Sequence, residues 1–363
     1  MRILLAMSGG IDSSVVAHIL ARQGHDIVGV RFTLWSDPLA PPLAQILPSK
    51  CCNTQTASRA KTVAADLKIP LHIIDLEQEF KESVVDPFLE GYRQGLTPNP
   101  CIGCNRSIKF GKLIELADRF GCDKLATGHY ARIALERLPD GSGRHILLEA
   151  IDATKDQSYY LYGVEQSALS RVLFPLGAML KEDVYGLAKQ YGVPLPDGYK
   201  ESQDLCFFPE KQPQEFLKRH LRDALQPGPI VRRDGVVVGT HEGLPLYTIG
   251  QRRGLKIGGL KVPLEVVAKT PASNSLIVSS KGSEMTSEVR LHSMHFLSWS
   301  PDANVPVTFQ YRNRSLCPKK HGTLIFSGNQ GTFRFDTPEP PQAPGQSIVL
   351  YRGEEVVGGG VIQ

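Results

Sequence analysis

The chain has 363 residues, 41% of them hydrophobic, enough for two or three domains that each bury a core. Its 41 basic and 37 acidic residues leave a net charge of +4, a balance that does not select nucleic acid as a partner but leaves room for a local basic face. No apolar run approaches the roughly 18 residues of a membrane helix, and the odd count of seven cysteines argues against a disulfide scaffold. The opening apolar stretch stops at Ser8-Gly9-Gly10 and meets Asp12, unlike a secretory signal. A cytoplasmic protein is expected, in which closely spaced thiols are metal ligands or catalytic groups.

Residues 2–7 form a short apolar strand, and Val16, Ile19 and Leu20 give the following helix its stripe, with Gly24 at its end. A second buried strand, DIVGVRF, covers 26–32. The proline-rich stretch 37–50 reads as a mobile loop. Ala60, Val63, Ala64 and Leu67 mark a helix before the strand LHIIDL (71–76). Phe110, Leu113, Ile114 and Ala117 mark another before DKLAT (123–127). Strands alternating with helices predict a parallel sheet covered on both faces, with ligands at the C-terminal strand ends. SGGIDSS (8–14), Thr33 and TGHY (127–130) all lie at such ends.

After about residue 208 the pattern changes to Gly, Pro, Arg and Lys with short strand-like runs. From about 270 the chain reads as all-β, with Val307, Phe309 and Tyr311, then Phe333 and Phe335, alternating with polar residues. SGNQG (327–331) and YRGEE (351–355) read as hairpin connections. The expected division is an α/β nucleotide-binding domain at 1–208, a small central domain at 209–268 and a β-barrel-like domain at 269–363.

SGGIDSS follows a strand and opens a helix. Glycines let the backbone turn tightly, and the first helical amides then face an anion, assisted by the helix dipole. Ser8, Ser13 and Ser14 add hydroxyls. Asp12 would repel phosphate unless it binds Mg²⁺ or caps the helix amides. Neither the Walker pattern nor G-x-G-x-x-G is present. The bland alternative is a capped turn. The motif is similar to the PP-loop of the ATP-pyrophosphatase superfamily, whose members split ATP into AMP and pyrophosphate and adenylate a carbonyl oxygen.

TPNPCIGCN (97–105) holds the pair Cys101 and Cys104, and ESQDLCFF (201–208) supplies Cys206. Cys51 and Cys52 are adjacent in a loop, where they serve as a sulfur relay or as plain loop residues. Cys122 and Cys317 read as packing residues. Half a zinc site, a redox dithiol and catalytic thiols all compete for the first set. No second C-x-x-C or His pair completes a zinc site, and the thioredoxin-like context is missing. A thiolate or persulfide is a soft, strong nucleophile, suited to displacing an adenylate-activated oxygen. An ATP loop and reactive thiols in one chain therefore suggest sulfur insertion.

SGGIDSS, TPNPCIGCN with RSIKFG, TGHYAR, KDQSYYL, the DLCFF cysteine, GLPLYTIGQRRGL and APGQSIVLYRGEEVVGGG occur in this order and span nearly the whole chain. Together they resemble the tRNA-specific 2-thiouridylase family. The resemblance implies ATP-dependent adenylation of O2 of the wobble uridine and sulfur delivery to C2. Its other implications are tRNA substrates for Lys, Glu and Gln, contacted at the anticodon stem-loop, and a sulfur donor such as a cysteine desulfurase. By the same resemblance Ala6, Met7, Ser8, Gly9, Gly10, Ile11, Asp12, Ser13, Thr33 and Gly128 contact ATP, with Mg²⁺. Cys206 carries a persulfide, and Cys104 releases its sulfur and leaves a Cys104–Cys206 disulfide. Asn99, Pro100 and Cys101 meet the target base. His129, Lys155, Asp156 and Gln157 contact tRNA near the flipped base, and Tyr311, Arg312 and Gln346 hold it further away.

The stretch GQRRGLKIGGLK (250–261) reads either as a tRNA backbone surface or as a solvated loop. One departure matters. Many family members have aspartate where this chain has Cys101, and there it is assigned acid–base work. A thiol titrates near about pH 8.5 and replaces it as a base only if its pKa is lowered. The alternative is that Cys101, Cys104 and Cys206 hold a [4Fe–4S] cluster with one iron open for sulfide. Both mechanisms stand at this point. So do three other functions: another PP-loop ligase, a non-catalytic tRNA-binding protein and a zinc-stabilised structural protein.

Overall fold

The computed structural model describes residues 1–42, 54–194, 205–258, 262–299 and 301–363. Cys51, Cys52, residues 43–50 of the proline-rich loop and residues 259–261 of the basic stretch lie outside the described residues. Among the described residues no helix is long and apolar enough to cross a membrane.

The N-terminal unit opens with β1 (Arg2–Ala6), α1 (Ile11–Arg22), β2 (Asp26–Thr33), α2 (Thr54–Asp66) and β3 (Leu71–Asp75). After a helical stretch come β4 (Lys124–Ala126), β5 (Arg132–Arg137), β6 (Gly143–Leu148) and β7 (Val172–Leu173). A parallel sheet forms in the order β3-β2-β1-β4-β7. Leu4 pairs with Val28 on one side and with Leu125 on the other. Alternation along β1 sets its two faces: Ile3 and Leu5 pack with Val15, Val16 and Leu20 of α1 and Ala60 and Val63 of α2. Leu4 packs on the opposite layer with Phe110, Leu113 and Ala117. The chain leaves β1 toward β2 and β3, then returns to place β4 on the other side. The C-terminal end of β1 is therefore the switch point, where open α/β sheets form their ligand crevice.

The central sheet contains β8 (Gly228–Arg232), β9 (Val237–His241), β10 (Leu264–Thr270) and β11 (Ser275–Ser280), ordered β10-β11-β8-β9. The boundary expected between residues 268 and 269 runs through β10. Alternation announces a strand but not the sheet it joins, and β10 pairs with β11 from Leu264↔Ser280 to Thr270↔Ser275. The central unit thus extends to Ser280.

The remaining strands are β12 (Thr286–Phe296), β13 (Val307–Arg312), β14 (Lys320–Ser327), β15 (Gln330–Glu339), β16 (Ser347–Arg352) and β17 (Glu355–Ile362). They close into an antiparallel six-strand barrel through the β12–β17 pairing, Leu291↔Ile362. Both expected hairpins are present, at β14–β15 and at β16–β17. The β5–β6 hairpin of the N-terminal unit joins the barrel edge through Glu355↔Leu148.

Candidate active site

Gly9 adopts φ +78°, and a Cβ there would lie 1.9 Å from the Thr56 carbonyl oxygen. Only glycine fits on both counts. Ser8 and Ser13 hydroxyls lie 3.1 Å apart, and Ser13 and Ser14 donate back to the Gly10 carbonyl at 3.2 and 2.9 Å. Two buried guanidiniums hold the loop from outside. Arg31 donates to the Ser8 carbonyl and, at 3.1 Å, to Thr56 Oγ1, while Arg59 donates to the Gly9 carbonyl at 2.7 Å. With these carbonyls tied back, the loop backbone is fixed at the N-terminus of α1, the dipole end that favours an anion.

Asp12 has a partner that the sequence did not reveal. Lys181 Nζ lies 2.6 Å from Asp12 Oδ1, and the Tyr130 hydroxyl donates to the same oxygen at 2.9 Å. The Lys181 side chain is only 7% exposed. Its ammonium offsets the carboxylate beside the loop, which answers the repulsion problem without a metal. The signal was present: Lys181 is the first residue of α3 (Lys181–Gln190), where the helix dipole disfavours a cation. Arg31 likewise interrupts an apolar strand. A Cβ on Gly128 would sit 3.0 Å from Asp12 Cβ, so the β4 loop closes against the β1 loop at the switch point. Thr33 ends β2 at the same sheet edge, its carbonyl accepting from Leu76 at 2.9 Å. Met7 donates to the Val30 carbonyl at 2.8 Å, so its backbone still belongs to the sheet.

His129 follows directly. Its Nδ1 lies 2.7 Å from Thr127 Oγ1, and its Nε2 lies 3.5 Å from Lys109 Nζ. Burial, with Lys109 as a second cause, pushes its pKa well below the usual imidazole range. Lys109 can only donate, so the neutral ring accepts at Nε2 and keeps its proton on Nδ1 toward Thr127.

Lys109 belongs to the helical stretch that carries the thiols. Asn99 caps a short helix, Pro100–Gly103, by accepting from the Cys101 amide at 3.2 Å. The chain continues as a wide π-helical stretch, Cys104–Lys112. Such turns are uncommon and recur at functional sites. Asn105 anchors the stretch by donating to the Tyr160 carbonyl at 2.9 Å. Cys104 is buried in the hydrophobic cluster that also contains Phe80, Phe88, Phe207 and Phe208, and Cys206, partly buried, packs against that same cluster. Cys101 is also half-exposed. No disulfide joins any two of the described cysteines. Cys122 is core, as expected, while Cys317 is half-exposed with its thiol 3.0 Å from the Arg314 carbonyl.

The residues expected at tRNA are also engaged within the protein. Tyr311 is 1% exposed in the barrel core, between Phe333 and Phe335. Arg312 is buried and pairs with Asp156 at 2.6 Å and Glu149 at 2.7 Å. Asp156 is 2% exposed and also accepts from Ala150, Ser158 and the Ser158 hydroxyl. All three side chains are held by partners within the protein. An alternating strand pattern and a polar turn do not reveal which polar groups satisfy each other inside. Gln157 accepts from the Tyr130 amide at 3.0 Å, and Gln346 donates to the Thr97 carbonyl at 2.6 Å. Lys155 remains half-buried beside them. In the stretch 250–261, Arg252 and Arg253 are exposed and Lys256 pairs with Glu242. The start of the proline-rich loop is anchored rather than mobile: Asp37 is buried against Arg219 and His220, at 2.5 and 2.7 Å.

Three family models match in succession. They are the tRNA methyl transferase HUP domain over residues 1–210, its PRC-barrel domain over 214–280 and the aminomethyltransferase beta-barrel domain over 286–362. A tRNA-specific 2-thiouridylase MnmA of Symbiobacterium thermophilum is 38% identical, covering 100% of this chain and 92% of its own. Those of Chloroflexus aurantiacus and Roseiflexus castenholzii are 39% and 40% identical, each over 99% of this chain and 98% and 99% of theirs. A solved U34-tRNA thiolase from Methanococcus maripaludis, described with its [4Fe-4S] cluster, is similar at a TM-score of 0.34 and 15% identity, covering 57% of this chain and 61% of that one. That likeness is too distant to bear on the cysteines here. Matched from end to end by these relatives, the chain belongs to the tRNA-specific 2-thiouridylase family.

Proposed function

We propose that this chain is an ATP-dependent tRNA sulfurtransferase that replaces the C2 oxygen of a wobble uridine with sulfur. The observation that supports it is one helical stretch joining two chemistries. Its Cys104 end lies in the aromatic cluster that Cys206 also packs against, and its Lys109 meets His129 beside the nucleotide loop.

In this reading residues Ala6 to Ser13, with Thr33 and Gly128, hold ATP, and Mg²⁺ enters on the nucleotide's phosphates. Asp12, already engaged by Lys181 and Tyr130, fits charge balance at the loop better than metal ligation. O2 of the splayed uridine attacks the α-phosphorus and releases pyrophosphate. The terminal sulfur of a Cys206 persulfide attacks C2, and AMP leaves with the oxygen. Cys104 then attacks Cys206 Sγ and breaks the S–S bond. The sulfur stays on C2, and a Cys104–Cys206 disulfide remains for an external thiol to reduce. Asn99, Pro100 and Cys101 line the base, with Cys101 standing where many family members carry aspartate. His129, neutral, and Lys155 face the RNA. The sulfur donor is a persulfide carrier such as a cysteine desulfurase, and the substrates are tRNAs for Lys, Glu and Gln.

The competing reading is a [4Fe–4S] cluster on Cys101, Cys104 and Cys206, each thiolate on a different iron. The test is thiolation of unmodified tRNA by anaerobically purified protein with ATP and a persulfide donor, read as 2-thiouridine by nucleoside mass alongside iron content. Product from iron-free protein, lost in Cys206→Ser, is expected. Product that appears only with iron bound would overturn the persulfide route. No product, with tRNA still bound, would overturn the enzyme reading.

A further inference from the structure

We infer that Arg219 is a positioning residue for Cys206, acting through Glu210 to fix the Cys206 segment against the chain that leaves β2. This rests on the reading of Cys206 as the persulfide carrier.

One guanidinium joins two segments far apart in sequence. Arg219, on helix Gln214–His220, donates to Asp37 Oδ2 from Nε at 2.9 Å and from Nη2 at 2.5 Å. It also donates to Glu210, from Nη1 to Oε1 at 2.6 Å and from Nη2 to Oε2 at 3.2 Å. Asp37 comes four residues after Thr33, which ends β2, and Glu210 comes four residues after Cys206. Two carboxylates drawn together repel each other unless a cation lies between them. Arg219 is that cation, and its planar fork serves both at once. The Asp37 side chain is 0% exposed and that of Arg219 is 14% exposed. The second Asp37 oxygen is engaged as well, by His220 Nε2 at 2.7 Å and the Leu39 amide at 2.9 Å.

The same two segments meet through rings. Trp35, between Thr33 and Asp37, has its ring 6.5 Å from Phe207, 6.3 Å from Phe216 and 6.0 Å from His220. Phe207 and Phe208 follow Cys206 directly and are buried. Hydrophobic contact is non-directional, whereas a guanidinium fork on carboxylates fixes direction. Residues 206–210 form neither helix nor strand, so their backbone takes its position from these side-chain partners. Cys206 is thereby referenced to β2, whose end lies at the sheet edge proposed to hold ATP. Reaction geometry is steep enough that an ångström-scale shift costs about a hundredfold in rate.

Arg219→Met would strand the Asp37 carboxylate inside the protein and unsettle the fold as a whole. The decisive variants are therefore Glu210→Ala, which leaves Arg219 paired with Asp37, and Arg219→Lys, which keeps the charge but loses the fork. In tRNA-free protein, iodoacetamide labelling of Cys206 is followed by peptide mass, with Cys122 reporting general loosening. Both variants are expected to raise the Cys206 rate by about tenfold while Cys122 stays protected. With unmodified tRNA, ATP and a persulfide donor, both are expected to release pyrophosphate in the first turnover at the wild-type rate, but to form 2-thiouridine about tenfold more slowly or worse. An unchanged Cys206 rate would overturn the inference. So would Cys122 labelling that rises in step with Cys206, or pyrophosphate release that falls as far as thiolation, because either marks general loosening. Labelling needs no turnover. If the unaltered protein forms no 2-thiouridine, the thiolation reading fails separately, and the labelling rates still decide what holds Cys206.

Discussion

Asp12 is the residue on which the nucleotide loop turns, and its environment is set by a lysine 169 positions away. A carboxylate next to an incoming triphosphate raises the cost of binding unless a cation accompanies it. Lys181 does so from a nearly buried position, lying over the Tyr130 ring at 5.3 Å and the Tyr185 ring at 5.1 Å. Removing the ammonium takes away the cation 2.6 Å from the Asp12 carboxylate at the mouth of the phosphate site. Lys181→Met is therefore expected to reduce ATP-dependent pyrophosphate release, measured as kcat/KM for ATP, by on the order of tenfold, or about 1.4 kcal/mol. Adding Asp12→Asn to Lys181→Met is expected to recover part of that loss, because the negative charge next to the incoming triphosphate goes with it. Equal activity in wild type and Lys181→Met would sink this role. The loop itself was legible in SGGIDSS because glycine and hydroxyl chemistry is local. Lys181 showed only as a cation at a helix start; its pairing with Asp12 was not legible, because a pair across so much sequence exists only after α1 and α3 pack together.

At the scale of elements, the short parallel strands and their covering helices could be read from apolar spacing, since each face of β1 meets a different layer. Two things could not. The thiol-bearing helix shows the usual apolar stripe at Phe110 and Leu113, and nothing in that stripe announces wide turns over Cys104–Lys112. Barrel strand β13 reads as inward apolar and outward polar, yet Arg312 at its end is buried. It bonds to Asp156 and Glu149, and Lys319 adds a bond to Glu149 at 2.6 Å. This network ties the turn at 152–158 to the barrel. Breaking a buried pair by removing one partner costs about 3–5 kcal/mol, because the remaining charge is stranded. Arg312→Met is thus expected to lower the thermal unfolding midpoint by several degrees, with tRNA affinity below that midpoint unchanged. A normal midpoint with weakened tRNA binding would return Arg312 to the RNA surface.

Across the whole molecule, the three domains share their joints with the chemistry. The aromatic cluster around Cys104 is built from the N-terminal unit, Phe207 and Phe208, and central-domain residues including Leu246 and Val266. The β5–β6 hairpin and the Thr97 segment fasten the barrel to the N-terminal unit. The proposed sulfur transfer has the nucleotide loop and two thiols act in one turnover on one RNA. The most direct measurement is a single turnover on unmodified tRNA with persulfide-loaded protein, ATP and no reductant, quenched by alkylation and read by peptide and nucleoside mass. The account predicts one Cys104–Cys206 disulfide for each 2-thiouridine formed, and none when ATP is omitted. Stoichiometric 2-thiouridine with both cysteines recovered as alkylated thiols would contradict it.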